Sequence, residues 1–213
     1  EEVTTYEVGY KMSFEGGKAT FAIFDTEVED LQRELNEPAP GGGVNQYVTN
    51  VGDAEVQGIE IDSVISLTDD LVLSLSAGYV DASYATVTKD INGDGAIDAK
   101  DLALNLPRAA PLTWSVGLNR FGSYEGWTTN SRISLAHRDK SFFTDNNKGF
   151  INKQNILNAG LDFTSPDGIM SIGIYGNNLT NEVRHGGDTQ LTFGSYAPLM
   201  KGRVIGLEAT YNF

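Results

Sequence analysis

The feature that most constrains this chain is a period of two. Leu71, Leu73, Leu75, Ala77 and Tyr79 fall on one face of their segment, and Ser74, Ser76 and Gly78 on the other. Leu112, Trp114, Val116 and Leu118 alternate with Thr113, Ser115, Gly117 and Asn119. The last stretch, Gly202 to Phe213, sets Ile205, Leu207, Ala209, Tyr211 and Phe213 against Gly206, Glu208, Thr210 and Asn212. Side chains alternate this way on a strand and not on a helix. No apolar run approaches the roughly 18 to 20 residues of a membrane helix. The chain is predicted to be all-β.

Strands are expected over Glu2–Phe14, Ala19–Leu31, Gln46–Leu67, Leu71–Val87, from Leu112, over Trp127–Arg138, around Leu157–Phe163, around Met170–Ile174, and over Gly202–Phe213. The phase of the second slips near Ile23-Phe24, which predicts a bulge there. The connections at Gly16, Asp69, Tyr124 and Asp167 are short. Those around Pro38, Asp94, Asn146 and Gly187 are long, with the first spanning Gln32 to Asn45. Short and long alternate strictly, as in a membrane barrel with short periplasmic turns and long extracellular loops. All six prolines, Pro38, Pro40, Pro107, Pro111, Pro166 and Pro198, lie in connections or at a strand's first residue, where a missing N–H does no harm. The fold class predicted is an antiparallel up-and-down transmembrane β-barrel, here a partial barrel of roughly nine strands. Outer-membrane lipid would meet the apolar face, and Tyr79, Trp114, Tyr124 and Trp127 would serve as girdle aromatics. A soluble sheet with one buried face shows the same alternation, so a soluble β-rich calcium-binding or adhesion module stays open as an alternative.

Composition narrows the function. The 213 residues carry a net charge of −14, which argues against nucleic acid as a partner. There is no cysteine, hence neither disulfide nor thiolate metal site. The mean hydropathy of −0.24 suits a barrel whose polar face and loops dilute its apolar residues. No charged and apolar leader opens the sequence, so an exported protein of this kind is expected to have been processed, or this is a piece of one.

Four stretches resemble one family. Val48-Thr49-Asn50-Val51-Gly52-Asp53-Ala54-Glu55-Val56-Gln57-Gly58-Ile59-Glu60 looks like an N-x-G-x-A-x-x-x-G-x-E strand. Leu106-Pro107-Arg108-Ala109-Ala110-Pro111 looks like an x-P-R-x-x-P that precedes a strand. Gly176-Asn177-Asn178-Leu179-Thr180-Asn181-Glu182 looks like an N-L-x-N segment, and Tyr211-Asn212-Phe213 like an outer-membrane signal strand. In this order they resemble the C-terminal half of TonB-dependent outer-membrane receptors. The resemblance implies the bacterial outer membrane, energy-coupled uptake of a scarce small ligand (metal chelate, cofactor or saccharide), a TonB system reached through an N-terminal region, and recognition of Phe213 by the barrel-assembly machinery. It also implies a barrel of about 22 strands with a plug. Residues 1–213 show about nine strands and neither plug nor coupling segment, so they read as the C-terminal part. A passive porin-like barrel is the remaining rival.

One loop, within residues 88–110 and expected to be extracellular, carries a metal signal. Asp90-Ile91-Asn92-Gly93-Asp94-Gly95-Ala96-Ile97-Asp98-Ala99-Lys100-Asp101 has the spacing of an EF-hand calcium loop. Asp90, Asn92 and Asp94 would give side-chain oxygens and Ala96 its carbonyl. Asp98 at position nine would act through water, and Asp101 takes position twelve. Gly95 makes the sharp turn, and Ile97 is expected to pack the loop. Aspartate instead of glutamate at position twelve resembles the dockerin version, with a short helix from Asp101. A solvated Asp/Asn/Gly turn that binds nothing is the plainer reading. Calcium is the expected ion, at an affinity of roughly 0.1 to 1 mM. His137 and His185 have no nucleophile at a defensible spacing, so no catalytic residues and no enzyme activity are expected. Arg132, Arg138, Arg184 and Arg203 are expected at the lumen or rim, and Glu60 and Asp62 on the lumen face.

Overall fold

The computed structural model describes residues 1–38, 41–191 and 194–213. Nine strands form one antiparallel sheet: β1 Glu2–Phe14, β2 Gly17–Pro38, β3 Val44–Ser66, β4 Leu71–Val87, β5 Leu112–Tyr124, β6 Trp127–Arg138, β9 Gln154–Thr164, β10 Met170–Asn177 and β13 Val204–Tyr211. The long connections hold a short helix α1 (Ala99–Leu102) and two small hairpins, β7 Ser141–Phe142 with β8 Phe150–Ile151, and β11 Thr189–Leu191 with β12 Gly194–Tyr196. The large sheet runs in sequence order and stays open, with β1 and β13 at its edges.

The register carries the period of two across the sheet. One cross-strand row joins Val8, Ile23, Ile59, Tyr79 and Leu112. Another joins Phe14, Gly17, Ile65, Leu73, Leu118, Ile133, Ala159, Gly176 and Ile205. Directly paired residues point to one side, so a single apolar face spans nine strands. Many of its members are open to the surroundings, including Val8, Ile59 and Leu207. A soluble domain would cover such a face. The opposite face carries Glu60, Asp62, Ser74, Ser76, Ser115, Asn119, Arg132, Asp162 and Glu208.

The same register sets the strand tilt. Phe14 ends β1, whereas its row meets β13 at Ile205, six residues before that strand ends at Tyr211. Six residues are about 20 Å of strand, and eight strand spacings are about 38 Å, giving a slide of roughly 30°. A sheet with this stagger is built to curl.

Three expectations are corrected. The connection spanning Gln32 to Asn45 is mostly strand, because β2 reaches Pro38 and β3 begins at Val44; Pro40 lies outside the described residues. Polar side chains conceal these extensions, because both faces stand beyond the apolar band. The bulge is not at Ile23-Phe24, where register is regular, but between Val28 and Gln32, with Asp30 at φ 54°. Phe24 breaks the pattern for another reason: it lies on the polar face, over the bare backbone of Gly58. Finally, Phe213 lies beyond the last strand, fully exposed, with its ring 6.2 Å from that of Tyr211.

The structure also gives reasons for the motif residues. Gly52 has φ +143°, and a Cβ there would sit 2.1 Å from the Thr86 carbonyl oxygen. Ala54 is buried, and Gly58 makes room for Phe24. Asn178 is 1% exposed at φ 51°; its side chain accepts from the Glu182 N–H and donates to the Glu182 carbonyl, tying off the chain after β10.

Candidate functional site

Two regions concentrate polar chemistry: the polar face, and the end of the sheet that carries the long connections. A hollow of about 620 Å³ opens on the polar face from Ser74 on β4 to Glu208 on β13, past Asn119, Arg132 and Asn158. Arg132 pairs with Asp162, and its guanidinium covers the bare backbone of Gly160. Gly173 leaves room for the Asp162 carboxylate between β9 and β13. Small residues here let a few long charged side chains lie flat, leaving a polar surface with carboxylates and amides available for hydrogen bonding.

At the long-connection end, residues 88–111 fold over the polar face. Ile91 and Leu106 pack with Leu31, Val51, Ala54 and Tyr84 in the only cluster of buried apolar side chains found among the described residues. Ile91 therefore anchors the loop. The expectation for Ile97 is overturned: it is 57% exposed, because the chain enters α1 immediately afterwards and Asp101, not Ile97, turns inward.

The loop is built on Asx turns. Asp90 accepts from the N–H groups of Gly93, Asp94 and Gly95, Asn92 from that of Asp94, and Asp94 from that of Ala96. Gly93 and Gly95 supply φ of +75° and +92°. Asp98 caps α1 by accepting from the Lys100 N–H. Asp101 is fully buried. One of its oxygens accepts from Ile91 and Asn92 at 2.8 and 2.9 Å, and the other from Asp98 at 3.1 Å. The Lys100 ammonium stands 2.6 Å from Asp94 and 3.7 Å from Asp98. Its hydrogen bond, followed by that of the Ala96 N–H, holds the Asp94 carboxyl below the usual carboxylate range. Asp90, Asn92, Asp94, Ala96, Asp98 and Asp101 thus share one loop, but among the described residues no three acidic or histidine side chains form a ready metal cage.

The three longest connections interlock. Asn147 joins the second to the first by accepting from the Asn105 N–H and donating to the Asn105 carbonyl. Arg108, at φ 66°, donates its N–H to the Phe142 carbonyl, and its cation lies 5.0 Å from the Phe143 ring centre. Phe143 in turn covers Gly187 of the third connection, and the Phe150 N–H donates to Asp188. Arg138 donates to the Arg108 carbonyl and to Ser141, and Arg184 to the Lys201 carbonyl. Arg203 donates its backbone N–H to Asn181 and its guanidinium to the Leu179 carbonyl. Of the expected lumen or rim arginines, Arg132 lies on the polar face, while the other three brace connections at the long-connection end. His137 stacks on Trp114 and contacts Asn155 and Asp139 through its two ring nitrogens; His185 contacts the Gly187 carbonyl. Sequence reasoning missed this network, whose partners are as far apart as Asn105 and Asn147.

The family model for "TonB dependent receptor-like, beta-barrel" matches residues 1–179. The chain belongs to this family. No curated protein matches it. Among solved structures, the TonB-dependent receptor fold is shared with the ferric yersiniabactin uptake receptor FyuA from Yersinia pestis, at 15% identity and a TM-score of 0.80. It is shared with BauA, the ferric preacinetobactin receptor from Acinetobacter baumannii, at 18% and 0.71, and with the copper transporter OprC at 15% and 0.68. Each match covers 99% of this chain but only 30%, 29% and 31% of the respective structure. The nine strands are therefore a partial TonB-receptor barrel, about a third of the length of the proteins they resemble.

Proposed function

We propose that this chain forms part of the wall and the loop-bearing end of a bacterial outer-membrane receptor that takes up a metal chelate with energy supplied through a TonB system. The observation that carries this reading is one continuous apolar face across nine staggered strands, backed by a polar face with a hollow, in a chain of this family. Its structural neighbours include receptors for ferric chelates and a copper transporter, and this favours a metal chelate over a cofactor or saccharide as cargo. In this reading outer-membrane lipid covers the apolar face. The open edges of β1 and β13 pair with further strands of the intact receptor, since unpaired edges are costly in lipid. Residues 88–110 face the exterior, Phe213 is read by the barrel-assembly machinery, and the work is transport, not catalysis.

Deleting the gene tests the cargo. Growth on an iron or copper chelate as the sole metal source, and accumulation of that metal, should fall and return with the intact gene. Unchanged accumulation from every metal chelate, alongside loss of growth on a cofactor or saccharide, would assign a different cargo. Accumulation that persists after de-energising the cell would favour a passive barrel.

We also propose that residues 90–101 bind calcium. Support comes from the EF-hand spacing and from Lys100, a cation already seated between Asp94 and Asp98. Asp90, Asn92, Asp94, the Ala96 carbonyl and Asp98 would supply oxygens, with Asp101 as the buried strut at position twelve. The intact receptor should melt higher in about 1 mM calcium than in chelator, and Asp94→Ala should abolish the difference. Equal melting in calcium and chelator removes the site.

A further inference from the structure

The apolar face ends at one level, and its two halves end differently. The row Val8, Ile23, Ile59, Tyr79 and Leu112 closes the band towards the long-connection end. Beyond it on β1 to β4, the same face carries Tyr6, Asp25, Gln57 and Asp81, then Glu27 and Glu55, all without a cation. On the other half the closing row runs on past Leu112 into charge of both signs. Asp139 donates its N–H to the Leu112 carbonyl at 2.9 Å, and Lys153 stands one step beyond the Arg138–Gln154 pair. One row further into the band, Trp114, His137 and Asn155 are paired side by side, with the Trp114 and His137 rings stacked at 5.4 Å. Tryptophan in this position is typical of a membrane–water boundary.

A hollow of about 590 Å³ opens at this boundary, with Lys140, Lys153, Asp139 and Glu182 around it and Pro111 and Val183 as its apolar rim. Both carboxylates are engaged within the protein. Asp139 meets His137 Nε2 at 3.0 Å, and Glu182 accepts from the Asn155 N–H at 2.7 Å. The two ammonium groups are not engaged with an anion. Lys140 lies over the rings of Phe150 and Phe142, 4.3 and 5.3 Å from their centres, and among the described residues neither lysine forms an ion pair. Both lysines are exposed, and Val183 is 72% exposed beside them. A long stem along apolar surface with its charge at the edge is how lysine meets a lipid boundary.

We infer that this hollow seats the phosphate of an anionic lipid headgroup, with Lys140 and Lys153 donating to its oxygens and Val183 and Pro111 against the start of its chains. The inference rests on the proposal that the apolar face meets lipid. A free phosphate ion would make no use of the apolar rim or of the level of the site. The carboxylate-bearing half on β1 to β4 repels the same headgroup, so the lipid is held on one side of the wall.

Trp114 reports occupancy, because bromine on a lipid chain quenches an indole beside it. The test uses the intact receptor with Trp114 as its one tryptophan, in vesicles of phosphatidylcholine and phosphatidic acid with one or the other lipid brominated. Brominated phosphatidic acid should be preferred beside Trp114 by about fivefold for each lysine. Lys140→Gln and Lys153→Gln should each remove about that factor, and the double variant all of it. Lys11→Gln, on the polar face, should keep it. Equal quenching by the two lipids, or a preference that survives the double variant, overturns the site and leaves the lipid-facing wall standing. Added inorganic phosphate should not compete; competition would assign the lysines to a free anion and overturn the lipid site. Quenching by neither lipid would take away the lipid-facing wall and the site with it.

Discussion

At the scale of single residues, the loop of Asp90 to Asp101 separates two roles that its acidic composition merges. Asp94 is half-exposed and held ionised chiefly by Lys100, whereas Asp101 is a buried strut accepting from three backbone N–H groups. Asp101→Ala should loosen residues 88–104 with or without calcium, costing about 1 to 3 kcal/mol of local stability, as buried donors lose their acceptor. Hydrogen exchange of the Ile91 and Asn92 amides would report it, and protection equal to wild type would contradict the strut. Lys100→Gln should instead raise calcium affinity several-fold, because calcium no longer has to displace an ammonium from Asp94; a calorimetric titration showing weaker binding would contradict this. Because the folded pKa of Asp94 is lowered, its contribution is present above the ordinary carboxylate pKa and lost as pH falls through the lowered value. The turn chemistry of Asp90, Asn92, Asp94 and Gly95 was legible in the sequence, since each acts within a few residues. The burial of Asp101 and the exposure of Ile97 were not, because they depend on how Ile91 and Leu106 meet β3 and β4.

At the scale of the strand, alternation does most of the work. The two faces of β4 differ so strongly that Leu71–Val87 could be bounded to the residue from sequence. β2 and β3 could not, because they run for 22 and 23 residues where a membrane-crossing strand needs about 9 to 11, and the excess is polar on both faces. The apolar rows end at Ile23, Ile59 and Tyr79, and the next outward row is Asp25, Gln57 and Asp81. That row marks where the apolar band stops, and, in the proposed receptor, where lipid would end. A charge within the band should therefore be far more costly than one on the opposite face. Leu75→Arg should destabilise the intact receptor by about 2 to 4 kcal/mol, whereas Ser76→Arg should be nearly neutral. Denaturant titrations of the two variants in lipid vesicles measure the difference, and equal losses would contradict the assignment of faces. Gly58→Ala belongs at this scale too. A Cβ there falls 2.3 Å from Phe24 and 2.8 Å from the Tyr79 carbonyl oxygen, so the paired strands must shift, at about 1 to 3 kcal/mol.

At the scale of the whole molecule, turn chemistry made the pairs β1–β2, β3–β4, β5–β6 and β9–β10 legible, and the alternation of short and long connections made the order between them so. Short turns such as Gly16 and Ser165-Pro166-Asp167-Gly168 force neighbours to pair, and the sheet accordingly runs in sequence order. The interlocking of the long connections left no sequence signal, because it relies on backbone carbonyls and on partners such as Asn105 and Asn147. In the proposed receptor the apolar face meets lipid and the polar face meets water. The chain contains no cysteine, so single cysteines can be placed at Leu73, Ser74, Leu75, Ser76 and Ala77 in an intact receptor cleared of any others. Labelling in native outer membranes with a water-soluble maleimide distinguishes the two faces. Positions 74 and 76 should label, and 73, 75 and 77 should be protected. Equal labelling at all five positions, or the reverse alternation, would contradict it.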